Sequence, residues 1–118
     1  TFKLMAITYF QDTIFQTDTA LSAIGVGTAL RVAVNNTFST KNYTLLATVA
    51  TINTNVKVSL EGSVDGTNYA EIISEKTITS NGTYAYNVAN TPVRWIRPRF
   101  ISEAGGTAAT VVFSLAAA

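Results

Sequence analysis

The chain has 118 residues, of which 47% are hydrophobic and 13% charged, with a formal net charge of +1. That length fits one domain, residues 1–118, and area scaling lets such a chain bury roughly two-thirds of its unfolded surface, enough for one core. A balance so near neutral argues against nucleic acid, which demands clustered, uncompensated Lys and Arg. No run approaches the about 18 apolar residues of a membrane-spanning helix, so no membrane partner is expected either. The chain has no His and no Cys. Disulfides, thiolate metal sites and histidine-based triads are thereby removed. The expectation is a binding or structural module that is not an enzyme and takes no cofactor or metal. The charged share is about half the usual one, which suits a surface covered by neighbours or wetted by Thr and Asn.

In chain order, Phe2 to Tyr9 reads as a first extended segment. Residues 1–10 carry one Lys and a short apolar stretch without a small-residue cleavage site, so they read as a strand or arm and not as a signal peptide. The run Phe2-Lys-Leu-Met-Ala-Ile7 is apolar on both faces of a strand, more than one face of a sandwich needs. It is either the first strand of the core or an arm that adds to a neighbour's sheet, with Phe2, Leu4 and Tyr9 as anchors. Asp12 to Thr17 is a possible second strand, and Asp18 to Gly27 is a capped helical turn or a loop, its two glycines favouring loop.

From there the rhythm is regular. Leu30 to Val34 and Tyr43 to Ile52 are strands separated by a polar loop. Val56 to Leu60 and Tyr69 to Ile73 alternate and flank Ser63-Val-Asp-Gly-Thr-Asn68, where Asp-Gly supplies the positive φ of a hairpin turn. Lys76 to Thr79, a turn at Ser80-Asn-Gly82, Thr83 to Val88, Val93 to Ile101 and Thr110 to Leu115 complete the set. β-branched residues, Thr above all, favour strands over helices. About eight strands with a turn roughly every ten residues predict an all-β protein, a single antiparallel β-sandwich, jelly-roll-like.

Within Val93 to Ile101, alternation places Val93, Trp95, Arg97, Arg99 and Ile101 on one side and Arg94, Ile96, Pro98 and Phe100 on the other. Both sides mix apolar and basic groups, so either fits the core. Pro98 donates no ladder hydrogen bond, which points to an edge strand or a bulge. Arg94, Arg97 and Arg99 around Trp95 form the chain's basic-aromatic cluster, suited to stacking or to clamping acidic groups of a partner. Arginines lying over aromatic rings at a strand edge would look the same.

Other constellations have plainer readings. Asp65-Gly-Thr-Asn68 gathers oxygen donors, but turn chemistry explains it without a calcium ion. Glu61 and Glu71 fall on paired strands, and solvation accounts for them better than a glycosidase pair. Asn35, Asn42 and Asn81 each open an Asn-x-Thr triplet, which a chain rich in both residues produces by chance.

The string Val58-Ser-Leu-Glu-Gly-Ser-Val-Asp-Gly-Thr-Asn-Tyr69, followed by Val93-Arg-Trp-Ile-Arg-Pro-Arg-Phe100, resembles small β-sandwich structural proteins of tailed bacteriophages, of the head-decoration or cement kind. Tyr69 stands where those proteins more commonly have Trp. The Ser-x-Asp-Gly turn is also similar to that of discoidin-like, galactose-binding-like sandwiches. The resemblance implies a virion structural protein, made in the host cytoplasm, on the outer capsid surface. Its partners would be the major capsid protein and copies of itself, with a trimer as the expected homo-oligomer. The contact residues are expected to be Phe2, Leu4 and Tyr9 in the N-terminal segment and Trp95, Arg97 and Arg99 on the last-but-one strand. The competing classes are a carbohydrate-binding module, using Tyr43, Tyr69, Tyr84, Tyr86 and Trp95, and a strand-exchanging extracellular filament subunit.

Overall fold

A computed structural model of the chain describes residues 14–17 (backbone), 24–33, 40–105 and 109–118. Nine strands are present among them: β1 (Ile14–Thr17), β2 (Gly25–Val26), β3 (Leu30–Arg31), β4 (Tyr43–Ala50), β5 (Asn55–Ser63), β6 (Ala70–Ile78), β7 (Gly82–Val88), β8 (Trp95–Ala104) and β9 (Thr110–Ala117). Sheet A runs β1-β9-β4-β7; sheet B runs β2-β8-β5-β6, with β3 also on β8. Every pairing is antiparallel.

β2 and β3 both pair with β8 and act as one strand interrupted at residues 27–29. Counted so, the described residues make eight strands that alternate between sheets, staying in one sheet only for the β5–β6 hairpin. This is the jelly-roll arrangement, two antiparallel sheets face to face. The expected sandwich is therefore the structure of this chain. Thr83–Val88 and Lys76–Thr79, and likewise the last two strands, follow one another in sequence but belong to opposite sheets.

Alternation sorts the two faces of each strand. Tyr43, Leu45, Ala47 and Val49 of β4 meet Val111, Phe113, Leu115 and Ala117 of β9 on the inner side of sheet A. Val56, Val58 and Leu60 of β5, Ile73 and Ile78 of β6 and Ile96 and Phe100 of β8 face them from sheet B. Each large side chain taken fully out of water contributes about 1.5–3 kcal/mol before ordering costs. At one end of the core, the buried Tyr43 hydroxyl donates to Thr40 O (2.7 Å) and accepts from Val93 N (3.2 Å) and Thr40 Oγ1 (3.1 Å). The loops before β4 and before β8 are thereby tied to one phenol.

Pro98 meets the second of its two expectations, a bulged strand, since the register of β8 against β5 shifts between Lys57 and Val58. It lies in β8, which is interior to sheet B and not at its edge. Its carbonyl accepts from Gly27 N (2.8 Å). In an extended strand a residue's N and O point to the same side, so the missing N–H faces the break between β2 and β3. The proline explains that interruption: a strand cannot complete its ladder opposite a residue with no donor.

Candidate functional site: the outer face of sheet B

Ile96, Pro98 and Phe100 are buried, which turns Trp95, Arg97 and Arg99 outward. Register places Arg97 beside Glu61, Arg99 beside Ser59 and Trp95 beside Ser63 on β5. Glu61 points away from the core yet is only 5% exposed. Its carboxylate bridges two arginines, accepting from Arg97 Nε at 2.7 Å and from Arg99 Nη1 at 3.1 Å. Both oxygens are used, one per guanidinium, and such charge-assisted bonds are roughly twice as strong as neutral ones. Ser59 Oγ, next along the strand, is buried without a hydrogen-bond partner.

Two cation–aromatic stacks stand on this base. The Arg97 guanidinium lies 3.8 Å from the Tyr69 ring centre, and that of Arg31 lies 5.0 Å from the Trp95 ring. Arg31 is fixed in turn by an Nε–H bond to Ala33 O (3.0 Å). Arg94, part of the expected cluster, enters instead through its backbone, donating to Ser63 O and accepting from Val32 N. Beyond Arg99, Val26 of β2 is in register with it and 44% exposed, and Ile24 is 59% exposed.

The 63–68 turn closes the upper end. Ser63 Oγ accepts from Gly66 N (2.8 Å), and Asp65 Oδ1 accepts from Thr67 N and Asn68 N (both 2.8 Å). Asp65 Oδ2 accepts from Asn68 Nδ2 (2.8 Å). These donors, the Asn68 and Thr67 amides first, hold the Asp65 carboxyl well below the usual carboxylate range. Gly66 takes φ +79°, and a β-carbon there would sit 3.4 Å from the Trp95 ring. The turn thus lies against the indole. The positive φ favours glycine at this position, while a β-carbon would make only ordinary contact with the ring.

Of the six residues expected to make contacts, the structure brings Trp95, Arg97 and Arg99 to one face, whereas Phe2, Leu4 and Tyr9 lie outside the described residues. Glu61, expected to be solvated, is instead the buried hub of that face, and Arg31 is an unforeseen member. Neither could be found locally, because the β5–β8 and β3–β8 pairings join distant segments. The aromatic set proposed for sugar stacking is dispersed: Tyr43 is in the core, Tyr84 and Tyr86 pack against the core, and only Tyr69 and Trp95 reach the outer face. Two of the three Asn-x-Thr asparagines serve the fold: Asn42 bonds Asn90 N and Ala118 O, and Asn81 bonds Ile52 N.

Among the described residues no group of three or more acidic, His or Cys side chains is placed to hold a metal, and no helix is long and apolar enough to cross a membrane.

No protein-family model matches the chain, and no curated protein matches it. Among solved structures, it is similar to the SPBc2 prophage-derived protein YomS, with a TM-score of 0.56 at 6% identity, covering 94% of this chain and 99% of that one. That likeness is one of fold. Weaker likenesses are to a Bacillus endospore appendage, of a family of disulfide-linked pili (TM-score 0.41, 10% identity, 98% and 97% covered), and to the Yersinia pseudotuberculosis-derived mitogen (TM-score 0.40, 19% identity, 92% and 86% covered). Scores below 0.5 carry no weight for fold or function.

Proposed function

We propose that this chain is a non-enzymatic virion structural protein that decorates and stabilises the outside of a tailed-phage capsid, bound to the major capsid protein and to copies of itself. The observation that carries the reading is the pre-built contact face on sheet B. Arg31 on Trp95 and Arg97 on Tyr69 are stacked before any partner arrives, and Glu61 fixes Arg97 and Arg99. Trp, Tyr and Arg are the residue types most enriched at interface hot spots, and fixing them in advance lowers the entropy lost on docking. Ile24 and Val26 extend the face with exposed apolar surface.

Two further facts support the phage assignment: the resemblance of the 58–69 and 93–100 strings to phage decoration proteins, and the whole-chain fold likeness to a prophage-derived protein. A decoration subunit occupies repeated lattice positions, so modest single contacts add up through avidity. Binding the assembled shell in preference to loose subunits stabilises the shell by mass action.

The test is reconstitution. Purified protein is mixed with shells that lack it, and binding and shell survival under heat and low salt are measured. Wild type is expected to bind and protect; Trp95→Ala and Arg31→Ala are expected to lose binding while retaining the fold's circular dichroism. Shells as robust without the protein as with it would remove the stabilising role. Absence of the protein from purified particles would remove the virion reading.

A further inference from the structure

The two sheets differ in one respect that no local stretch of sequence displays. Sheet A contains no charged residue in any of its four strands. The strands of sheet B carry Arg31, Lys57, Glu61, Glu71, Glu75, Lys76, Arg97, Arg99 and Glu103. The outward residues of β4, β7 and β9 are Thr, Ala, Val, Ser and Asn, with Leu46 the one large apolar side chain, 36% exposed. Register sets them in rows: Thr44 between Ala116 and Asn87, Leu46 between Ser114 and Ala85, Thr48 between Val112 and Thr83. The Thr48 and Thr83 hydroxyls bond each other at 3.1 Å.

We infer that the outer face of sheet A is a self-association surface that pairs two copies of this chain face to face. A surface meant for water ordinarily carries interspersed charges, as sheet B does. A face without charge has nothing to repel its own image, which is the requirement of a two-fold interface where the same patch meets itself. The small outward side chains of β4, β7 and β9 let two sheets approach to the about 10 Å of sheet-on-sheet packing, with Leu46 as the knob on β4.

The area decides how strong the pairing is. With strands about 4.8 Å apart and a rise of about 3.3 Å per residue, sheet A offers roughly 400–450 Å² in projection. The relief of the side chains brings a face-to-face pair to about 1,000 Å², the lower limit of specific interfaces. The dimer is therefore reversible and concentration-dependent. A partner with a charged surface is disfavoured, because its ions would lose water against a face that offers no counter-charge. The surface is separate from the sheet B contact face, so the inference does not depend on the capsid reading.

The experiment is sedimentation velocity of the full chain from micromolar to millimolar concentration, in wild type, Leu46→Glu, Thr48→Glu and the sheet B control Thr77→Glu. Circular dichroism and thermal melts verify that each variant is folded. Wild type and Thr77→Glu are expected to shift from monomer to dimer mass. Leu46→Glu and Thr48→Glu, which set like charges against each other across the two-fold, should dimerise at least roughly tenfold more weakly. A wild type that stays monomeric throughout, or a dimer indifferent to both variants, overturns the inference. So does a monomeric wild type whose binding to shells is lost in Leu46→Glu, since the face would then belong to a different protein.

Discussion

Glu61→Ala is the sharpest test of the architecture of the sheet B face. Glu61 is 5% exposed and its carboxylate satisfies two guanidiniums, so truncation removes two charge-assisted hydrogen bonds and leaves Arg97 and Arg99 facing each other. Breaking a fully buried ion pair costs about 3–5 kcal/mol. Here the arginine side chains are 28% and 44% accessible and recover part of their hydration. The expected loss is therefore smaller, about 1–3 kcal/mol. For a domain of this size each kcal/mol is worth about 4 °C, so the melting temperature should fall by roughly 4–12 °C. Glu61→Gln should fall between wild type and alanine, since its oxygen still accepts from Arg97 while its amide meets Arg99 donor to donor. Thermal unfolding followed by circular dichroism reads both variants. A double-mutant cycle with Arg97→Ala should return a coupling well above the scatter of independent sites. An alanine variant within about 0.5 kcal/mol of wild type, the range of ordinary surface changes, would refute the hub.

Three other expectations are open to the same measurements. Tyr43→Phe removes a buried hydroxyl that serves Thr40 and Val93, and should cost about 1–3 kcal/mol by equilibrium denaturation, because buried backbone partners are left unsatisfied. The Asp65 carboxyl is held below its ordinary pKa, so its contribution to stability is complete above the unfolded value near 3.8 and disappears as pH falls through the lower folded value. Asp65→Asn, which keeps an acceptor but does not titrate, should flatten that part of the acid-stability profile; an unchanged slope would contradict the turn's role. Deleting Thr1 to Ala6 should abolish assembly while preserving the thermal transition, as expected of an arm anchored by Phe2, Leu4 and Tyr9; loss of the transition would make the segment a core strand.

What the sequence reveals follows from how local each determinant is. The β5–β6 hairpin is visible because its alternation and its Asp-Gly turn lie within some twenty residues, and Gly66 takes the positive φ that the dipeptide announces. The extent of β6 is not visible. Its register slips against β5 between Val58 and Leu60 and again between Leu60 and Glu61, which breaks the period that would mark Lys76–Ile78 as the same strand as Tyr69–Ile73. The inner face of β8 is equally concealed, since both sides carry apolar and basic groups. Burial of Ile96 and Phe100 settles it only once β5 and the interrupted β2/β3 strand are placed on either side. Glu61 reads as a solvated acid until Arg97 and Arg99, more than thirty residues away, are brought across from it.

The same reasoning explains why the contrast between the two outer faces escapes a linear reading. Because the jelly roll deals strands alternately to its two sheets, the neutral segments β1, β4, β7 and β9 are separated by charged ones along the chain. The composition therefore shows only a low average, 13% charged. A low average spread evenly would mean a uniformly weak surface. Concentrated by topology, it means one sheet whose described strands carry the usual mixture of ions and one whose described strands carry none. Away from the Glu61 network a charge change is cheap to tolerate on the first, whereas a charge added to the second is costly if that face is covered. The consequences for assembly separate accordingly: changes at the exposed charges of sheet B outside the Glu61 network, such as Lys57 and Glu75, should act mainly on encounter rate and salt dependence, whereas charges added to sheet A should act on dissociation.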